Sequence, residues 1–177
     1  QRRVAQLKSL RGDVVVKDIR GNVDTRLRKL DEGEYDALIL ASAGLRRLEL
    51  EDRIAAVISP EEMVPAVGQG AIAIETRSDD EFTIQITGAL DHHETRLCCL
   101  AERAFLRSLG GGCQFPIAGH ATIDNEQLRL DGLVATPDGA KILRDQASGS
   151  PVEAEAIGSS LAAKLIRLGA NSLLNSR

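Results

Sequence analysis

The sequence predicts an α/β segment joined to a smaller α+β domain, and three observations predict it. Two short β-branched runs flank a stretch of helical period in the first third of the chain; an antiparallel meander with its own turn residues follows a long helix in the second half; and a proline-broken, glycine-containing stretch lies between them. With 177 residues and 43% hydrophobic content the chain can build a substantial core as one large domain or two small ones.

The elements follow in order. The chain opens at Gln1 in a charged stretch of helical character, which reads as a fragment or a processed chain. "DVVVKDI" (13–19) and "YDALILA" (35–41) read as strands, and between them Val23, Leu27 and Leu30 recur at helical spacing. That is a βαβ unit, which favours a parallel pair with a right-handed crossover. Asn22 or Asp24 can cap the helix and Gly33 can end it. A second helix is expected over "AGLRRLELEDRIAAV" (43–57). Pro60 and Pro65 then interrupt helical pattern, and "AIAIET" (71–76) reads as a strand, so that 59–77 crosses between domains.

From about Asp91 the pattern changes. A helix over 92–109 leads into "GGGCQFPIAGHA", followed by strands in "IAGHATID", "QLRLDGLVATP" and "AKILRDQAS". Asn125-Glu126 and Pro137-Asp138-Gly139 supply their turns. A closing amphipathic helix (151–169) presents Ile157, Leu161, Leu165 and Leu168 to that sheet and stops at Gly169.

Composition narrows the function. With 22 Lys+Arg against 26 Asp+Glu, the net charge of -4 gives no basic field for non-specific nucleic-acid binding, and 2% aromatics leave little for bases to stack on. No run is long and apolar enough to span a membrane, and no signal peptide is evident. The three cysteines are odd in number and lack metal-ligand spacing, which points to a reducing, cytoplasmic setting without disulfides. His92-His93 project to different sides of a helix and find no third ligand, so no metal is expected. The Gly-x-Gly of "PAVGQGAIAIE" (65–75) lacks the rest of any nucleotide-binding fingerprint and reads as a hinge or a tight strand entry.

Two constellations can carry chemistry. In "DIRGNVDTRLRKL" (18–30), Arg20 stands at the carboxyl end of a predicted strand, Gly21 permits the turn, and Arg26 lies in the first turns of the next helix. Ligands of open α/β sheets bind at such strand ends, where a helix N-terminus and forked guanidinium donors suit carboxylate or phosphate. Arg2 and Arg3 before the first strand, and Arg46 and Arg47 opening the next helix, extend the cluster, and the implied ligand is polyanionic. The plainer alternative is solvated helix-face arginines. The second constellation is Cys113 behind Gly110, Gly111 and Gly112. It is a structural bystander, or a nucleophile or attachment point whose glycine neighbours make room for a bulky group. His120 is poorly placed to act as its base, so a Cys-His hydrolase is weakly supported. Cys98 and Cys99 lie among Leu97, Leu100 and Ala101, where free cysteines behave as small buried hydrophobes, and core packing is expected for at least one of them.

Taken together, "IRGNVDTRLRKLDEGEYDALILASAGLRRL", "PAVGQGAIAIE", "HHET" and "GGCQFPIAGHA" resemble the porphobilinogen deaminase (hydroxymethylbilane synthase) family, in order, along essentially the whole chain. The resemblance implies a transferase of porphyrin, heme and tetrapyrrole biosynthesis. Such enzymes add four porphobilinogen units to a dipyrromethane cofactor, with loss of ammonia at each step, and then hydrolyse off the linear tetrapyrrole. It implies that Cys113 carries the cofactor through a thioether, that Arg2, Arg3, Arg20 and Arg26 bind it, and that Arg20, Arg26 and Arg47 bind substrate. It further implies a fold of three domains, the first two like type II periplasmic binding proteins: 1–64 as the remainder of domain 2, 65–90 as a return to domain 1, and 91–177 as domain 3. No acidic residue here matches the family's catalytic aspartate, so this chain is expected to be inactive alone and the complete protein to be a monomer. The rival readings are a non-catalytic carboxylate-binding module and, disfavoured by charge, a nucleic-acid-binding domain.

Overall fold

The computed structural model describes residues 1–110 and 115–175. In chain order the elements are α1 (Arg2–Leu10), α2 (Val23–Asp31), α3 (Ser42–Arg47), α4 (Glu81–Gly88), α5 (His93–Ser108), β1 (Ile117–Asp124), β2 (Gln127–Ala135), β3 (Ile142–Gly149), α6 (Ala154–Arg167) and α7 (Ala170–Asn175).

The second half folds as the sequence pattern indicates. β1, β2 and β3 form an antiparallel meander in that order, with Asp124 opposite Gln127 and Val134 opposite Leu143. Both residues of the first turn, Asn125 and Glu126, have positive φ (47° and 60°), the combination that a two-residue type I′ hairpin demands. Leu128, Leu130 and Val134 point to one face of the sheet, where Phe105 of α5 and Ile157, Leu161 and Leu165 of α6 bury them. Leu168 departs from expectation: it is the C-cap residue of α6, beyond the last helical turn, and stands exposed. Gly169 follows it at φ 101°, in the left-handed region that closes a helix.

The opposite face of the sheet is covered at one end by the first half. Ala118, Leu133 and Ala135 pack there with Ala5 of α1 and with Val64. Gln6, 3% exposed, pairs with Val64 as a strand would: Val64 N–H donates to Gln6 Oε1 (2.8 Å) and Gln6 Nε2 donates to Val64 O (3.0 Å). The approach is close enough at the 136–141 turn that a Cβ on Gly139 would lie 2.2 Å from the Ala5 carbonyl oxygen.

The first half departs from the sequence reading in three ways. Segments 13–20, 36–41 and 71–76 carry no ladder pairing, so the expected parallel βαβ pair is not formed among the described residues. A β-branched run supplies extended propensity, but only a neighbouring strand turns it into sheet. The helix expected over 43–57 ends at Arg47, continuing only as a single 3-10 turn at Glu51–Arg53, and 54–58 is not helical. Leu50 N–H donates to Leu45 O and Glu49 N–H to Arg46 O, a Schellman closure with Glu49 at φ 56° in the position glycine usually takes. Finally, 81–88 forms α4, capped by Asp80, where no helix was expected. α2 does follow the pattern, with Asn22 accepting from Thr25 N–H and Gly33 at φ 77° closing the helix.

Candidate functional site

Arg2 and Arg3 open α1, where they border a cleft of about 470 Å³ also lined by Leu27, Leu45, Met63 and Gln69. α1 places them there because Ala5 and Gln6, one turn further on, are the residues it buries against the sheet and Val64. Arg2 Nη2 donates to Gln69 Oε1 at 2.8 Å. Arg3 is half-buried, and its guanidinium pKa is lowered first by that burial and then by repulsion from Arg26. Arg26 is oriented by its own loop: its Nε donates to the Gly21 carbonyl at 2.8 Å, and Gly21 takes φ 117° to present that oxygen.

The electrostatic consequence is specific. Arg3 is partly desolvated and repelled by Arg26, and among the described residues no carboxylate forms an ion pair with Arg3, Arg20, Arg26 or Arg47. Like charges held together without a counter-ion are unfavourable, and a bound polycarboxylate relieves the repulsion while using the forked donors. The residues present therefore fit a carboxylate-rich group.

Not every expected arginine joins them. Arg20 is exposed at the end of the unpaired 13–20 segment and Arg47 is exposed; neither lines the cleft, and Arg26 is also outside its lining and reaches Arg3 only through charge repulsion. Arg46 and Arg47 also close α3 rather than open a longer helix, because the chain turns at Glu49. Arg53 lines the cleft unforeseen, and there it pairs with Asp31.

Cys113 and the glycines Gly111 and Gly112 lie outside the described residues. What is described is the approach to them: α5 runs to Ser108, Leu109 is buried, and Gly110 at φ 64° turns the chain out of the helix. Cys98 and Cys99 are free thiols in α5. Cys98 packs against the core, and burial followed by the nearby Glu102 pushes its pKa up to about 11, so it is a poor nucleophile at neutral pH.

The site residue that the sequence reading passed over is Glu102 of α5. It is 6% exposed, and its carboxylate accepts from Gly68 N–H (2.6 Å, Oε2) and from Ala121 N–H (2.8 Å, Oε1). Burial raises its pKa, against the pull of those two amides and of His120 and Arg103. The available signal was its place on the core face of α5, in register with Cys98, Phe105 and Leu109.

Residues 1–85 match the family model described as "Porphobilinogen deaminase, dipyromethane cofactor binding domain", and residues 96–167 match "Porphobilinogen deaminase, C-terminal domain". The chain belongs to the porphobilinogen deaminase family. A relative named porphobilinogen deaminase, from Chlorobium phaeovibrioides (strain DSM 265 / 1930), is 49% identical over 178 residues, covering 98% of this chain and 57% of that protein. The chain thus spans little more than half the length of this porphobilinogen deaminase. The arginine cleft falls within the match to the cofactor-binding domain, and Glu102 with most of α5 and all of β1–β3 falls within the match to the C-terminal domain. Among the described residues no helix is long and apolar enough to cross a membrane.

Proposed function

We propose that this chain is the cofactor-holding and chain-holding part of a hydroxymethylbilane synthase, a transferase that condenses four porphobilinogen molecules head to tail and then releases the linear tetrapyrrole by hydrolysis. The observation that carries this reading is Arg2 and Arg3 together at the cleft, with Arg3 repelled by Arg26 and no carboxylate counter-ion for Arg3 or Arg26, within the stretch that matches a dipyrromethane-binding domain. Cys113 is the thioether attachment point, reached from the end of α5 through Gly110. Arg2, Arg3, Arg20 and Arg26 bind the cofactor, and Arg20, Arg26 and Arg47 receive the substrate carboxylates as the chain lengthens. On this reading Arg20 and Arg47, both exposed, are the outer arginines, meeting carboxylates that extend beyond the cleft.

The dipyrromethane, when bound, supplies the free pyrrole carbon onto which the first unit is joined. The protein's own part is electrostatic. Each pyrrole ring carries an acetate and a propionate, and the guanidinium groups fix these in register, so that each incoming ring meets the terminal ring in a reactive orientation. Partial burial of Arg3 strengthens each such contact relative to water.

We further propose that residues 1–64, 65–90 and 91–177 belong to three domains in the type II periplasmic-binding-protein arrangement, with the site between the first two. Crossing contacts support a role for 59–69 as the connector: Gly119 N–H donates to Pro65 O (3.1 Å) and Arg144 Nη1 to Glu61 O (2.6 Å). A cytoplasmic setting fits the free thiols at Cys98 and Cys99.

The test is an intact mass with peptide mapping across 108–119 of the full-length gene product, together with an assay of porphobilinogen consumption. A dipyrrole adduct on Cys113 and turnover are expected. An unmodified Cys113 in a folded, inactive protein that still binds polycarboxylates reversibly overturns the synthase reading in favour of a binding module.

A further inference from the structure

We propose that Glu102 is a positioning residue for the arginine cleft: its carboxylate holds the 66–70 turn against β1, so that Gln69 can seat the Arg2 guanidinium. The proposal rests on the functional reading of Arg2 given above and adds the residue that sets it.

The argument starts at the edge of the sheet. β1 pairs with β2 on one side only, so on its other side the N–H groups of Gly119 and Ala121 face outward. Gly119 N–H is met directly by the Pro65 carbonyl at 3.1 Å. Further along, the chain at Gly68 presents an N–H of its own, so Ala121 and Gly68 offer two donors to the same space. Two donors cannot bond to each other, and an N–H shielded from water without an acceptor is strongly unfavourable. Glu102 supplies one oxygen to each, at 2.8 and 2.6 Å.

The bridge needs a carboxylate of this length. A glutamine offers one acceptor oxygen and sets an NH2 against the second N–H; an aspartate is one methylene shorter and cannot span the same two donors from the same helix position. Burying a carboxylate is expensive, and a stable sheet edge has cheaper solutions. What the expensive solution fixes here is the turn beyond it. Gly68 and Gly70 take φ 71° and 95°, and Gln69 N–H to Ala66 O (2.9 Å) and Ala71 N–H to Gly68 O (3.2 Å) close the loop. That conformation turns Gln69 outward, where its Oε1 accepts from Arg2 Nη2 at 2.8 Å. A continuous path of short contacts thus runs from α5, which leads on to Cys113, through Glu102, Gly68 and Gln69 to the guanidinium of Arg2.

The experiment is a double-mutant cycle in the full-length gene product with Glu102→Gln, Gln69→Ala and the pair. It is read by kcat and KM for porphobilinogen, by thermal midpoint, by amide hydrogen exchange at Gly68 and by the Arg2 side-chain NMR resonance. Each single substitution is expected to lower kcat/KM about tenfold, and the pair by about tenfold again relative to wild type rather than about a hundredfold, because both act on one link. Glu102→Gln must also release the Gly68 amide to exchange and shift the Arg2 resonance, although Glu102 does not touch Arg2. Losses that multiply, or an Arg2 resonance unmoved by Glu102→Gln, overturn the proposal. Gln69 is exposed, so Gln69→Ala keeps the test open if Glu102→Gln does not fold: unchanged kcat/KM then overturns the link, and a loss at an unchanged thermal midpoint upholds it. A wild-type protein without turnover overturns the synthase reading instead, and the exchange and NMR readouts still decide the link.

Discussion

Gly158→Ala would push apart the two helices that hold the C-terminal unit together. On α6, a Cβ at position 158 would stand 2.2 Å from the Ala101 carbonyl oxygen, 2.8 Å from Phe105 N and 2.9 Å from Ala104 Cβ, all on α5. Two of these three are backbone atoms and cannot rotate away. Ordinary contact begins near 3.4 Å, so the helices must separate locally by roughly 1 Å, a gap that forfeits a quarter to a half of the attraction between facing atoms. The side chains that lose contact are Phe105, Leu161 and Leu165, each fully buried. Overpacking of this kind costs about 1–3 kcal/mol and more where backbone is displaced, while replacing a helical glycine returns about 1 kcal/mol of propensity. A net loss of about 2 kcal/mol is expected in urea unfolding, with the slope unchanged. Ser160→Ala, exposed on the same helix, reports propensity alone and should change stability by a few tenths of a kcal/mol. A Gly158→Ala protein as stable as wild type, or more so, would show that the α5–α6 contact is looser than described and would sink the reasoning.

Further outcomes follow from the same structure. Gln6→Ala strips both Val64 backbone groups of their partner, so stability should fall by about 2–4 kcal/mol in denaturant titration; a change under about 0.5 kcal/mol would mean that water serves Val64 equally well. Burial holds the Glu102 proton to higher pH in the folded chain than the ordinary 4.5, so the native state binds more protons in the window above that value and stability declines as pH rises through it. Glu102→Gln should remove this limb, and wild-type and variant urea midpoints that run parallel across pH 4–7 would refute the assignment. Arg144→Ala breaks the bidentate pairing with Asp131 and the bond to Glu61 O, leaving a carboxylate that is 15% exposed without its partner. A loss of about 1–3 kcal/mol is expected, and Asp131→Asn, Arg144→Ala together should cost less than the two singles summed. Arg26→Ala in the full-length protein should lower cofactor loading, read by intact mass, whereas Arg167→Ala on α6 should leave loading unchanged; equal effects would remove Arg26 from the site.

What was legible in the sequence is what local chemistry decides. The meander announced itself through its turn residues, and α2 through its helical spacing, an asparagine cap and a glycine stop, because in each case the residues that bury or bond are neighbours along the chain. The end of α3 was illegible for a physical reason: its closure has the hydrogen bonds of a glycine-terminated helix but places Glu49 in the left-handed position, so the usual marker is missing. The strands expected at 13–19, 35–41 and 71–76 failed differently, since strand propensity is a local property and pairing is not. The site divides along the same line. Arg26 could be read from its place after a turn glycine, because the bond that orients it spans only five residues. Glu102 could not, since its role depends on Gly68 and Ala121, 34 and 19 residues away, meeting as two donors at one carboxylate. A charged residue on the apolar face of a helix is the trace such a role leaves in sequence, and it names the residue without naming its partners. On the proposed reading the arginines set what the cleft can bind. The buried acid on α5 fixes where one of them stands, and only the fold brings the two together.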